Sequence, residues 1–301
     1  MEKEICGVLT VNKHAGVTSH DIVNKIRRLY GTRRVGHTGT LDPMATGVLV
    51  VLVGRAAKAA EYLSCDKKSY SATLRLGLET DTEDVTGAIL TQTDSIPTES
   101  EIKETVRGFV GDIKQIPPMY SALKVGGKKL CDLARQGVSV ERQERDITIY
   151  SINCEKLSQT DYRLSVDCSA GTYIRTLCAD IGKSLGCGGV MATLERTAVG
   201  GYSLDSAHRI SELEEMSEEE RLSVLLPVES LFSELPEIKL PSFYEKLSRN
   251  GCEIYQKKLR TNISIGTRVR MCNENGEFYA LGEVFDYENG SAIKSIKLFD
   301  I

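Results

Sequence analysis

Gly36-His37-Thr38-Gly39-Thr40-Leu41-Asp42-Pro43-Met44-Ala45-Thr46-Gly47 runs directly into Val48-Leu49-Val50-Val51-Leu52-Val53. The apolar run has no polar interruption, which reads as a strand buried on both faces. Before it, Gly36, Gly39 and Gly47 permit backbone angles that other residues avoid, and Pro43 fixes its own φ. The segment therefore reads as a rigid, non-repetitive loop that delivers one carboxylate, Asp42, to the start of a buried strand. Two readings stay open on these residues alone. Asp42 is an ordinary turn residue before proline, or it is an acid held at the edge of a cleft.

Outward from this stretch, the patterning predicts a mixed chain. Gly7-Val8-Leu9-Thr10-Val11 reads as a first strand. Thr18-Ser19 caps a helix whose apolar positions Ile22, Val23, Ile26 and Leu29 share one face and which stops at Gly31. A short helix is expected from Ala56 to Leu63 and a strand from Tyr70 to Leu78. Thr98-Glu99-Ser100-Glu101 is a capping box for a further helix. Strands are expected at 146–157 and 162–170. In the second, Arg163, Ser165 and Asp167 alternate with Leu164, Val166 and Cys168, so one face is buried. Residues 172–185 have helical spacing, and 190–199 read as another strand.

The fold class expected is α+β. A largely antiparallel, mixed sheet with flanking helices fills residues 1–232. Residues 205–234 hold nine acids against two bases, a net −7, and read as a linker-like, partly helical segment. Beyond Pro236 come short β-like stretches at 263–265, 267–271, 278–285 and 295–299. Asn275-Gly276 is a hairpin signal between two of them. A small C-terminal β-barrel over 236–301 is the expectation.

Composition narrows the function classes. The chain has 301 residues, 41% of them hydrophobic, and no apolar stretch near 18 residues, so no membrane-spanning helix is expected. The start, Met1-Glu2-Lys3-Glu4-Ile5, is not a signal peptide. Nine cysteines, none spaced as Cys-x-x-Cys, read as reduced thiols of a cytoplasmic protein. His14, His20, His37 and His208 form no metal-ligand pair, so no metal is expected. The net charge of −4 argues mildly against a nucleic-acid partner, but outside the acidic segment the balance is +3. Bases cluster at Lys25, Arg27, Arg28, Arg33 and Arg34, and again at Lys124, Lys128, Lys129 and Arg135. Each cluster is either a solvated face or a phosphate contact.

The Gly36–Gly47 stretch resembles the nucleophile motif of the bacterial TruB family of tRNA pseudouridine synthases. So do Ile116-Pro117-Pro118-Met119-Tyr120-Ser121-Ala122-Leu123-Lys124 with Gly127-Lys128-Lys129-Leu130 and Ala134-Arg135-Gln136-Gly137, then Gly171-Thr172-Tyr173-Ile174-Arg175, then Leu194-Glu195-Arg196-Thr197. All four occur in the family's order over nearly the whole chain. The tail resembles a PUA-type RNA-binding domain.

The resemblance implies a reaction and a site. Uridine in the T-loop of tRNA, at tRNA position 55, is isomerised to pseudouridine without redox change, so no cofactor is implied. Asp42 is implied as the nucleophile, Arg175 as its ion-pair partner, and Tyr70 as the residue that stacks on the flipped base and takes a ribose proton. His37 is implied to fill the space left by flipped bases. Leu194 closes the base pocket, Lys13 lies near it, and Asp84 supports the site. Residues 115–140 resemble an insertion that closes over RNA, with Lys124 reaching phosphates and Gly126-Gly127 and Gly137 as hinges. His14 stands where the family usually has proline, and Glu195 where a base is common. The T-arm of tRNA is the expected partner; no protein partner is implied, and a monomer is expected. The alternatives are a tRNA-folding factor or RNA-binding protein without essential catalysis, and a guide-RNA-dependent synthase, which the 115–140 insertion disfavours.

Overall fold

The structure, a computed structural model, describes residues 5–63, 67–121 and 123–299, apart from the side chains of Lys124 and Lys129. In chain order it holds β1 (Gly7–Lys13), α1 (Ser19–Leu29), β2 (Val35–His37), β3 (Thr46–Val53), β4 (Lys68–Leu76), β5 (Leu78–Thr80) and β6 (Ile89–Gln92). Next come α2 (Glu99–Arg107), β7 (Gly111–Gln115), β8 (Lys124–Val125), β9 (Lys128–Lys129), α3 (Leu130–Arg135), β10 (Arg145–Lys156), β11 (Asp161–Cys168), α4 (Ile174–Ser184), β12 (Gly189–Val199) and β13 (Tyr202–Ser203). After them follow α5 (Ile210–Glu215), α6 (Glu218–Ser223), β14 (Glu237–Lys239), α7 (Ser242–Arg249), β15 (Ile254–Tyr255), α8 (Gln256–Leu259), β16 (Arg268–Cys272), β17 (Phe278–Phe285) and β18 (Ala292–Leu298).

Why 48–53 is apolar throughout is visible in what covers it. Leu49, Val51 and Val53 of β3 pack under α1 with Ile22, Val23 and Ile26. The alternate residues Val48, Val50 and Leu52 pack on the other face with Phe232, Leu281 and Phe299. Strand β3 is thus a central strand covered on both sides. It pairs antiparallel with β1 along its length and, for two residues, parallel with β12, at Glu195↔Thr46 and Arg196↔Gly47.

The large sheet runs β1-β3-β12-β4-β11-β10-β7, with β2 on β3 and β13 on β12. Apart from the β3–β12 contact its pairings are antiparallel. Ala72, Leu74, Leu164 and Val166 face a core shared with α2 and α4. Arg163, Ser165 and Thr193 lie exposed on the opposite face, which is the expected alternation. Both predicted caps form. The Thr18 side chain accepts from Asp21 N at 3.1 Å while Asp21 accepts from Thr18 N at 2.8 Å, and Thr98 pairs with Glu101 in the same way.

The short helix expected after β3 is present, as a 3₁₀ helix over residues 54–62. Several expectations need correction. The acidic stretch 205–234 is no linker. Ile210, Leu213, Val228 and Phe232 are buried, and Leu226 and Val8 exchange backbone hydrogen bonds at 2.8 Å. This segment lies along the β1 edge of the sheet.

In the C-terminal region β14-β16-β17-β18-β15 form one five-stranded sheet. The hairpin turn at Asn275-Gly276 is present, with Gly276 at φ +85°. The strand expected at 263–265 is absent because a side chain takes its backbone groups. Buried Gln256 accepts from Ile263 N at 2.7 Å and donates to Ile263 O at 2.9 Å. Helices α7 and α8 were not expected. The C-terminal sheet does not hang free, since Phe232, Phe278 and Phe299 stack with ring centroids 5.6–5.9 Å apart in the cluster that includes Val8, Val50 and Leu52.

Candidate active site

The loop carrying Asp42 is tied down residue by residue. Ser19, the first residue of α1, is buried; its hydroxyl donates to Leu41 O at 3.2 Å and accepts from Leu41 N at 2.9 Å. Ala45 N closes a turn on Asp42 O at 3.1 Å. Gly47 has φ +101°, and a Cβ there would stand 2.2 Å from Arg196 O, so only glycine fits. Lys13 is fully buried, and its ammonium donates to the carbonyls of His14 (3.0 Å), Val17 (2.8 Å) and Pro43 (3.3 Å). Those bonds, with Gly16 N on Pro43 O at 2.8 Å, hold the turn where His14 replaces the expected proline. Burial lowers the Lys13 pKa to about 8, against the pull of Asp42.

Arg175 sits in the first turn of α4, where the helix dipole disfavours a cation. Carboxylates compensate. Its Nε lies 3.0 Å from Asp42 Oδ2 and its Nη2 lies 3.3 Å from Oδ1, a two-pronged pair. Nη1 donates to Thr82 O at 3.3 Å and lies 3.9 Å from Asp84 Oδ2, while Nη2 also donates to Tyr120 O at 2.7 Å. Asp84 is itself oriented, its Oδ1 accepting from the Thr82 hydroxyl, Thr86 N and the Thr86 hydroxyl. Burial pushes the Asp42 carboxyl above the usual carboxylate range, and Arg175 is the main group opposing that shift.

Asp42 and Arg175 line two adjoining cavities. The smaller, about 300 Å³, is also lined by Tyr70, Leu194, Tyr173 and Arg196. The larger, about 710 Å³, is lined by His20, His37, Asp84 and Arg135 as well. So Lys13 braces the loop beneath the site, Tyr70 and Leu194 lie in one cavity, and His37 and Asp84 lie in the other. The His37 Nδ1 is buried without a hydrogen-bond partner, and burial lowers the pKa of its ring. The side chain of Lys124 lies outside the described residues. Its backbone lies in β8, one strand of a small hairpin turned by Gly126 and Gly127, both at positive φ. Arg135 is exposed and pairs with Asp132 at 3.4 Å.

Arg196, part of the Leu194–Thr197 motif, carries no role in the sequence reading. It is 1% exposed; its Nε donates to Val48 O at 2.7 Å and its Nη2 to Gly39 O at 3.1 Å. It is also the direct cross-strand neighbour of Tyr70. Burial raises the pKa of the Tyr70 phenol, and Arg196 is the foremost opposing charge. The signal was present: Arg196 follows Leu194 by two residues, and so shares its face of a strand. Tyr120 and Gln115 were also missed as anchors. Gln115 accepts from Tyr173 N at 2.8 Å and donates to Tyr173 O at 3.0 Å, fixing the start of the 115–140 segment to the residue before α4.

Elsewhere, Glu229, Glu237 and Cys272 bring potential ligand atoms together, but Arg270 already pairs with both carboxylates. Among the described residues no helix is long and apolar enough to cross a membrane.

Comparison with known proteins gives a consistent result. The family model described as "TruB family pseudouridylate synthase (N terminal domain)" matches residues 27–174, and "tRNA pseudouridylate synthase B C-terminal domain" matches residues 175–233. A "tRNA pseudouridine synthase B" of Alkaliphilus oremlandii is 45% identical over 295 residues, covering 97% of this chain and 98% of that protein. One of Clostridium kluyveri is 40% identical over 293 residues, covering 97% and 99%. Among solved structures, a chain from "Crystal Structure of a Cbf5-Nop10-Gar1 Complex" superposes with TM-score 0.76 at 25% identity, covering 97% of this chain and 84% of that one. With its motifs, its fold and these relatives in agreement, the chain belongs to the TruB family of pseudouridylate synthases.

Proposed function

We propose that this protein isomerises uridine to pseudouridine in tRNA, at position 55 in the T-loop. The observation that carries the proposal is the Asp42–Arg175 pair at the meeting point of two cavities, with Tyr70 in the smaller one. The uridine leaves its stack and enters the smaller cavity, against Tyr70 and Leu194. Asp42 attacks or electrostatically stabilises ribose C1′ as the C1′–N1 bond breaks, and the bonding pair leaves with the uracil. In the elimination route Tyr70 takes the C2′ proton and returns it when the base rejoins. The uracil turns, C5 bonds to C1′ while any Asp42–C1′ bond breaks and its electron pair returns to the carboxylate, the C5 proton is lost and N1 gains one, so the product is an isomer of the substrate. Arg175 keeps Asp42 ionised against burial, and Asp84 orients Arg175. His37, in the larger cavity, fills the space that the flipped nucleotides leave. Lys13 holds the nucleophile loop, and Lys124 meets a backbone phosphate.

The domain division proposed is a catalytic unit over 1–232 and a PUA-like RNA-binding unit over 236–301. In this reading the protein acts alone as a monomer in the cytoplasm, where its tRNA substrate is found. Identity of 40–45% with proteins named tRNA pseudouridine synthase B favours direct action on tRNA over the guide-dependent alternative. The test is pseudouridine mapping on an unmodified tRNA transcript with purified protein and no added cofactor. A single T-loop pseudouridine made by wild type and not by Asp42→Asn supports the reading. Tight tRNA binding without product would replace it with a folding factor or a guide-dependent enzyme.

A further inference from the structure

Glu83 has φ +63°, a left-handed backbone that a β-carbon disfavours. Only Arg260 shares that feature among the described non-glycine residues. The twist at Glu83 aims both its neighbours at one guanidinium. The Thr82 carbonyl lies 3.3 Å from Arg175 Nη1, and Asp84 Oδ2 lies 3.9 Å from the same nitrogen. The backbone there is pinned, with Met191 N on Glu83 O at 3.0 Å and Val85 N on Met191 O at 3.1 Å docking the turn against β12. The side chain is pinned as well, since Glu83 Oε2 accepts from the Thr176 hydroxyl at 2.6 Å. Thr176 directly follows Arg175 in α4. A turn with no further duty would place glycine or asparagine at this φ. Strain that persists because its surroundings over-determine it is characteristic of functional sites.

We propose that Glu83 is a positioning residue, clamping the Asp84 turn to α4 so that Arg175 is held in one orientation while it grips Asp42. The inference rests on the reading of Asp42 and Arg175 as the reacting pair. Glu83 lines neither cavity and acts through Arg175.

The test measures single-turnover pseudouridine formation, tRNA affinity and Tm for Thr176→Val, Glu83→Gly and Glu83→Gln, with Asp84→Asn as a second background. Thr176→Val and Glu83→Gly should each slow the chemical step about tenfold or more, with tRNA affinity within about twofold. Glu83→Gln keeps an oxygen to accept from Thr176, and should stay within about threefold of wild type. In the Asp84→Asn background Glu83→Gly should cost less than about twofold further, because the two act as one unit. Equal costs in both backgrounds, or a rate loss that follows Tm across the series, overturns the proposal, as does no effect of either clamp variant. Wild type that makes no pseudouridine overturns the functional reading itself, whereas active wild type with equally active Glu83→Gly overturns only the clamp.

Discussion

Arg175 and Asp42 are paired through two nitrogens and two oxygens, yet their exposure differs: the Arg175 side chain is 6% exposed and that of Asp42 34%. The cation is held by Thr82, Asp84 and Tyr120 and is nearly buried, whereas the anion keeps an open side. This asymmetry suits a nucleophile held by a fixed counter-ion.

Replacing Asp42 with asparagine keeps the shape and removes the charge. Turnover should be abolished while tRNA binding stays within about tenfold, roughly 1.4 kcal/mol. Wild-type turnover in Asp42→Asn would remove Asp42 from the mechanism. Arg175→Lys should also fail, with a loss of about a hundredfold or more, because one ammonium cannot make the fork and reach two carbonyls.

The pH dependence of the chemical step follows from Asp42. Its carboxyl titrates above the usual range because burial outweighs Arg175. In the proposed mechanism the ionised form is the reactive one, so the rate should fall as pH drops through that raised pKa. Arg175→Gln removes the main opposing charge, and its acid limb should lie at higher pH than in wild type. A limb that stays in place would show that another group controls it.

Lys13 gives a stability prediction of definite sign. Its pKa is lowered from 10.5 to about 8 in the folded protein. Between those values the unfolded chain binds the proton and the folded one does not, so this group makes stability rise with pH from about 8 to 10.5. Below about 8 it imposes a constant cost. Urea melts of wild type and Lys13→Met across that window should differ in slope, the wild type gaining more. Parallel curves would mean that the ammonium is not desolvated.

Arg196→Met leaves the carbonyls of Val48 and Gly39 without their donor. Leaving the buried Val48 carbonyl and the half-buried Gly39 carbonyl unpaired should cost about 2–3 kcal/mol, read as a shift in the urea midpoint. The chemical step should also slow, because the freed loop is the one that carries Asp42. Unchanged stability would show that water or a neighbour satisfies those carbonyls.

Phe299→Ala should destabilise the whole chain by about 3–5 kcal/mol, because the ring packs with Phe232 and Phe278 in a cluster common to both sheets. A single cooperative transition is expected, with probes in either sheet melting together. Two separate transitions would mean that the sheets fold independently.

The sequence made some of this legible and left the rest hidden for identifiable reasons. Val48–Val53 announced a strand covered on both faces, but not that its second cover arrives from residues as distant as Leu281 and Phe299. Capping boxes at Thr18 and Thr98 are local chemistry, and both formed. The stretch 263–265 has strand-like residues, yet it is claimed by Gln256, a contact that no local pattern encodes. The run of glutamates after 211 masked the buried Leu213, Val228 and Phe232, because net charge hid the spacing of the apolar positions. At the site, the resemblance brought Asp42 and Arg175 together on paper. Glu83 and Arg196 stayed silent, because each works through backbone geometry that becomes readable only when the strands are in register.

The shared cluster that joins Val8 of the first strand to Phe299 also sets a timetable. During synthesis, Val50 and Leu52 emerge early, with Ala56 and Ala59 close behind them, but Leu281 and Phe299 of the same cluster are among the last residues made. The cover of the central strand is therefore complete on that face only once the last residues of the chain have been made.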